Sequence, residues 1–118
     1  MRNRIFMDKS DIRDIKKELE HDLDSKRYEH TLGVAYTAAC LAMRYGYDME
    51  KAYITGLLHD CAKCMSNKDK FEYCEKHDIP ISEVEQDNPS LLHAKVGAEM
   101  SRRKFDIEDP EIYQAIFY

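Results

Sequence analysis

The apolar residues of this 118-residue chain recur at helical spacing along most of its length. Ser10 and Asp11 open a first helix with Ile12, Ile15, Leu19 and Leu23 on one face, and Asp8 or Ser10 supplies its cap. Asp24 and Ser25 break it. A second helix is expected over 25–44, where Val34, Ala38, Leu41 and Ala42 are apolar and Ala35 and Ala39 permit close packing. His30, Val34, Thr37 and Leu41 share a stripe at i, i+4, i+7 and i+11, which points His30 inward. Gly46 stops that helix in a C′ position. Asp48 caps a third helix whose first turn is Met49-Glu50-Lys51. Ala52, Ile54, Leu57, Leu58 and Cys61 make it apolar on more than one side, which suits the centre of a domain. It ends in His59, Asp60 and Lys63.

Ser66-Asn67 begins a shorter polar helix with Phe71, Tyr73 and Cys74, and Asp78-Ile79-Pro80 breaks the chain. A short helix is expected from Ser82 to Gln86. Asn88-Pro89-Ser90 then starts a helix, with Pro at N1 or Ser at the N-cap, that carries Leu91, Leu92, His93, Val96, Gly97 and Met100. Asp106 to Asp109 form a turn, and Pro110 opens a last helix with Ile112, Ala115, Ile116 and Phe117. With four glycines, three prolines and no long β-branched runs, the fold class is all-α: a helical bundle of about five to seven helices in one domain, 1–118. The last helix reaches Tyr118 with an apolar face and no cap, so the chain reads as a piece of something longer. An apolar face without packing partners predicts an exposed patch, and with it a homodimer.

Charged residues at 35% against apolar ones at 43% describe a folded chain rather than a disordered one. A net charge of −5 argues against nucleic-acid binding through bulk charge, while leaving room for a small anionic ligand held by a metal. No apolar run approaches a membrane span and no signal-peptide pattern precedes Met7, so a cytoplasmic location and no membrane partner are expected. The four cysteines, Cys40, Cys61, Cys64 and Cys74, are read as reduced. Cys61 and Cys64 have metal or redox spacing but no second such pair, and core-filling thiols are the expectation. His21 and His77 sit among charges and read as surface. Tyr28, Tyr36, Tyr45, Tyr47 and Tyr53 read as packing residues.

The chemistry concentrates in Gly56-Leu57-Leu58-His59-Asp60-Cys61-Ala62-Lys63. A carboxylate at the end of an apolar run is unfavourable by several kcal/mol, roughly the penalty for burying an ion, unless it is paired or metal-bound. Adjacent His and Asp can reach one metal cluster if other helices complete the shell, and His30 and His93 are the histidines placed to do so. On their own, His59 and Asp60 equally suit an imidazole tied to a backbone carbonyl beside a helix-end carboxylate. Imidazole with carboxylate suits zinc, iron, manganese or cobalt.

His30 followed by His59-Asp60 in a helical chain resembles the HD-domain metallophosphohydrolase superfamily. The segments Lys26-Arg27-Tyr28-Glu29-His30-Thr31-Leu32-Gly33, Gly56 to Lys63, Asn88-Pro89-Ser90-Leu91-Leu92-His93-Ala94 and Glu111-Ile112-Tyr113-Gln114-Ala115-Ile116 together resemble its bacterial YqeK-type family. Those are symmetrical bis(5'-nucleosyl)-tetraphosphatases, which split diadenosine tetraphosphate into two ADP. The resemblance implies that His30, His59, Asp60 and His93 are metal ligands of a dinuclear centre, typically iron, bridged by Asp60. It implies that metal-bound hydroxide attacks phosphorus, with Asp60 and Lys63 as catalytic residues and Lys63 and Arg27 meeting the substrate phosphates as cations. In that family a His-Thr-x-Gly segment follows directly after the position of Tyr118, and an Ala-Asp segment comes later, each supplying a further ligand. This sequence stops before both. The chain is therefore expected to be a partial HD domain that binds metal weakly or as one ion. Two alternatives stay open: an HD phosphohydrolase of mononucleotides or of cyclic or hyperphosphorylated nucleotides, and a non-catalytic module that binds nucleotide or metal.

Overall fold

The structure, a computed structural model, describes residues 9–118, with side chains from residue 12 onward. Seven α-helices follow in order: α1 (Lys9–Asp22), α2 (Ser25–Tyr45), α3 (Met49–Leu58), α4 (Asn67–Lys76), α5 (Glu83–Asp87), α6 (Leu92–Arg103) and α7 (Pro110–Phe117). A 3₁₀ turn, Pro89–Leu91, leads into α6. Asp8, one of the two expected caps of the first helix, lies outside the described residues. Ser10 lies inside α1 rather than at its cap.

Local chemistry sets most boundaries. Asp24, Asp48, Ser66, Ser82 and Asp109 each accept a hydrogen bond from a backbone N–H in the first turn of the helix that follows. Ser82 and Glu85 form a reciprocal capping box. Gly46 closes α2 at φ 79°, a left-handed conformation for which glycine has no steric penalty. Asp78 also takes positive φ, at 55°, where the chain leaves α4.

The core gathers Ile15 and Leu19 of α1, Leu23 just after it, Ile54, Leu57 and Leu58 of α3, and Leu92 and Val96 of α6. Helix α3 is central: it packs on α2, α6 and α7. The α2–α3 crossing is close because Gly56 has no side chain. A Cβ there would lie 2.6 Å from the Cα of Ala35. Gly97 plays a milder part on α6, where an added Cβ would meet Cys61 and Ile116 at ordinary contact distance.

Several expectations are corrected. The buried positions of α2 are Thr31, Ala35 and Ala42, whereas Leu41 of the expected inward stripe is 55% exposed and His30 is also exposed. Both stripes have helical spacing, and the close approach to Gly56 decides which one is buried. Helix α3 ends at Leu58, and residues 59–65 continue as tight turns, with N–H groups of Cys61, Lys63 and Met65 bonded three residues back. Ser90 does not cap α6, and Pro89 opens the 3₁₀ turn instead, so α6 starts at Leu92 without a side-chain cap. Cys61 and Cys74 fill the core, but Cys40 and Cys64 are exposed. Tyr36 and Tyr53 pack on each other, while Tyr45 and Tyr47 stand largely in solvent. His77 is half-buried and rests on Tyr73, whereas His21 is on the surface as expected. The last helix buries Ile112 and Ile116, Tyr118 after it is exposed, and a run of exposed apolar side chains lies from Tyr36 to Met49, along α2, the turn after it and the start of α3.

Candidate metal centre

The turn after α3 holds His59 and Asp60, with His30 of α2 and His93 of α6 beside them. Asp60 is only 8% exposed. Three other side chains converge on its carboxylate. His59 Nε2 lies 3.2 Å from Oδ2, Arg27 Nη1 lies 3.4 Å from the same oxygen, and His93 Nε2 lies 4.0 Å from Oδ1. His30 completes the group: it, His59 and Asp60 each bring a donor atom within 4.8 Å of the others. All four histidine and aspartate positions singled out in the sequence are thus brought together, from α2, the turn after α3 and α6.

The two imidazoles nearest Asp60 are oriented by the backbone. His59 Nδ1 donates to the Gly56 carbonyl at 2.7 Å, and His93 Nδ1 donates to the Ser90 carbonyl at 2.8 Å. A carbonyl only accepts, so in each ring Nδ1 carries a proton and Nε2 is turned toward Asp60. A neutral ring then points an Nε2 lone pair at a carboxylate oxygen, an arrangement of two acceptors that calls for a cation between them. Donor atoms around one transition-metal ion sit about 3–3.5 Å apart when each bond is about 2.1 Å, and the His59–Asp60 separation matches that spacing. Carbonyl-anchored histidines beside a buried carboxylate therefore fit a divalent metal. The two carboxylate oxygens also face different histidines, Oδ2 toward His59 and Oδ1 toward His93.

Gly56 and Ser90, each three residues before the histidine it orients, were named in the sequence as parts of their motifs and not as anchors of the imidazoles. The shared spacing is the signal that could have found them. Lys63 donates its backbone N–H to the Asp60 carbonyl at 2.9 Å and extends its side chain into solvent. Cys61, next to Asp60, faces the opposite way: its Sγ lies 3.6 Å from the Gly97 carbonyl, and burial pushes its thiol up to about 12. It is a packing group with no reactive thiolate. On the outer side of His59 an open groove of about 440 Å³ runs between α2, α3 and α7, lined by Val34, Ala38, Ala52, Thr55 and Ile112 among others.

The HD domain family model matches residues 27–118, which includes every residue of this cluster. The chain belongs to the HD domain family. It is 36% identical over 100 residues to the symmetrical bis(5'-nucleosyl)-tetraphosphatase of Bacillus subtilis, covering 85% of this chain and 53% of that protein. Against the protein of the same name from Staphylococcus aureus it is 30% identical over 107 residues, covering 91% and 55%. The crystal structure of a predicted HD superfamily hydrolase involved in NAD metabolism from Clostridium acetobutylicum superposes with a TM-score of 0.85 at 36% identity, over 90% of this chain and 56% of that one. The chain thus spans about half the length of the curated relatives it matches. Among the described residues no helix is long and apolar enough to cross a membrane.

Proposed function

We propose that this chain carries the metal-binding part of a phosphohydrolase of dinucleoside polyphosphates, with diadenosine tetraphosphate as substrate and two ADP as products. The observation that carries the reading is the convergence of His30, His59 and His93 on the buried Asp60, with two of the rings locked by backbone carbonyls. The relatives named as symmetrical tetraphosphatases support the choice of substrate.

His30, His59, Asp60 and His93 would hold the metal, the two Asp60 oxygens facing different histidines. Iron is the metal we assign, with manganese, cobalt and zinc compatible with the same donors. When bound, such a centre acidifies water and stabilises charge that builds on phosphoryl oxygens. The protein's own part is orientation. The Gly56 and Ser90 carbonyls hold the Nδ1 side of each ring and so aim Nε2 at the site. Lys63 and Arg27 are the cations that neutralise the tetraphosphate at the site. In the balanced reaction, water oxygen adds to one of the two central phosphorus atoms and the bridging oxygen leaves with the other half. Each half is then ADP.

The test is ADP release from diadenosine tetraphosphate by the purified protein with ferrous or manganous ion, beside a His59→Ala variant. Metal-dependent ADP release that is lost in the variant supports the reading. Release of ATP with AMP, or turnover that survives the substitution, overturns it. Metal uptake without any turnover would identify the non-catalytic metal-binding module instead.

A further inference from the structure

We infer that Arg27 is a built-in counter-cation of Asp60, one that competes with metal for the carboxylate and couples metal loading to phosphate binding. This rests on the metal-centre reading above and goes beyond its assignment of ligands.

Three observations carry it. First, Arg27 Nη1 shares Asp60 Oδ2 with His59 Nε2, so the guanidinium borders the same oxygen that the donor geometry assigns to metal. Second, its 3.4 Å contact is long for an arginine–carboxylate pair and is made through one nitrogen rather than as a two-pronged fork. The contact is therefore weak and easily given up. Third, Arg27 stands in the first turn of α2, which contains no acidic residue, at the positive end of the helix dipole. A cation is locally unfavourable there by about 0.3–1 kcal/mol. The N-cap carboxylate of Asp24, which accepts from the Arg27 N–H, offsets part of that cost, and the buried Asp60 is the acid that the guanidinium itself reaches.

The consequence is a linkage. With no metal, Arg27 partly offsets the Asp60 charge. A divalent ion on the same oxygen repels the guanidinium, which is partly exposed and can swing toward solvent. An anionic phosphate at the site then gives it a new partner. Phosphate should therefore tighten metal binding, and metal should tighten phosphate binding by the same factor.

The experiment is a calorimetric titration of manganous ion into metal-free wild type, Arg27→Gln and Arg27→Lys, each with and without inorganic phosphate. Circular dichroism confirms the folding of each variant. For wild type, phosphate should tighten manganese binding about tenfold, within the usual range of coupling between sites. Arg27→Gln should bind manganese about tenfold more tightly without phosphate and show no gain on adding it. Arg27→Lys keeps a charge and should retain most of the phosphate effect. Equal or weaker manganese binding in Arg27→Gln, or a phosphate effect that survives in it, overturns the inference and leaves the metal centre standing. Failure of wild type itself to bind manganese overturns the metal centre and the inference together.

Discussion

Glu99 on α6 and Asp60 after α3 are buried to nearly the same degree, 7% and 8% exposed. Glu99 is fully served. It accepts from Tyr113 Oη at 2.6 Å, from Arg102 Nη2 at 2.8 and 2.9 Å, and from Arg103 Nε at 3.0 Å. Asp60 is surrounded by possible partners but has no side-chain contact shorter than 3.2 Å among the described residues. Burial alone would raise the Glu99 carboxyl. At Glu99 the hydrogen bonds from Tyr113, Arg102 and Arg103 outweigh burial and hold it below its ordinary range. The same network and burial push the Tyr113 hydroxyl up to about 12. One carboxylate has been used to tie α7 to α6. The other keeps only longer contacts to His59, Arg27 and His93, the arrangement that the proposed metal site calls for.

Substituting each carboxylate should separate these roles. Asp60→Asn should have the largest effect, lowering metal affinity by more than about a hundredfold, since disturbing even outer-shell partners of a metal costs about 10–100-fold. It should leave the melting temperature of the metal-free protein unchanged or higher. Calorimetric titration with a melting curve checks both, and unchanged metal affinity would erase the distinction drawn here.

Gly56→Ala strikes the frame that supports His59. The clash with the Ala35 backbone should destabilise the fold by about 3 kcal/mol, the upper end for overpacking, read by urea denaturation. Glu99→Gln should remove about 2 kcal/mol, the scale of hydrogen bonds to a charged group, while metal affinity stays within a factor of two or so of wild type. A large loss of metal binding in Glu99→Gln would show that the two carboxylates are not independent.

The smallest effects are in pH. The folded-state pKa of Glu99 is lowered, so its stabilisation is present above the unfolded carboxyl value of about 4.3 and is lost as pH falls. The folded-state pKa of Tyr113 is raised, so its contribution is complete below pH 10 and is lost as pH rises through about 12. Denaturation midpoints should therefore form a plateau between these limits, with Tyr113→Phe making the alkaline fall shallower while Tyr53 and Cys61, also raised to about 12, keep the rest of it.

Much of the fold was legible because its signals are local. Asp48, Ser66 and Pro110 sit within a turn of the backbone groups they cap or start, so the beginnings of α3, α4 and α7 could be read directly. His30, His59, Asp60 and His93 were legible as a set through order and spacing. The inward face of α2 was not. His30–Leu41 and Thr31–Ala42 have the same helical period, and only the contact of Ala35 with Gly56 distinguishes them.

The sequence by itself determined that the chain is helical, where most helices begin, and which ionisable residues are candidates for one site. These depend on interactions spanning three or four residues. Tertiary structure decided what each candidate faces. It set the Nδ1 anchors of His59 and His93, placed Arg27 against Asp60, and assigned the donors of Glu99. Those outcomes require helices distant in the chain to meet at particular angles. A buried carboxylate becomes a structural clasp or a metal ligand according to which donors that meeting brings within reach.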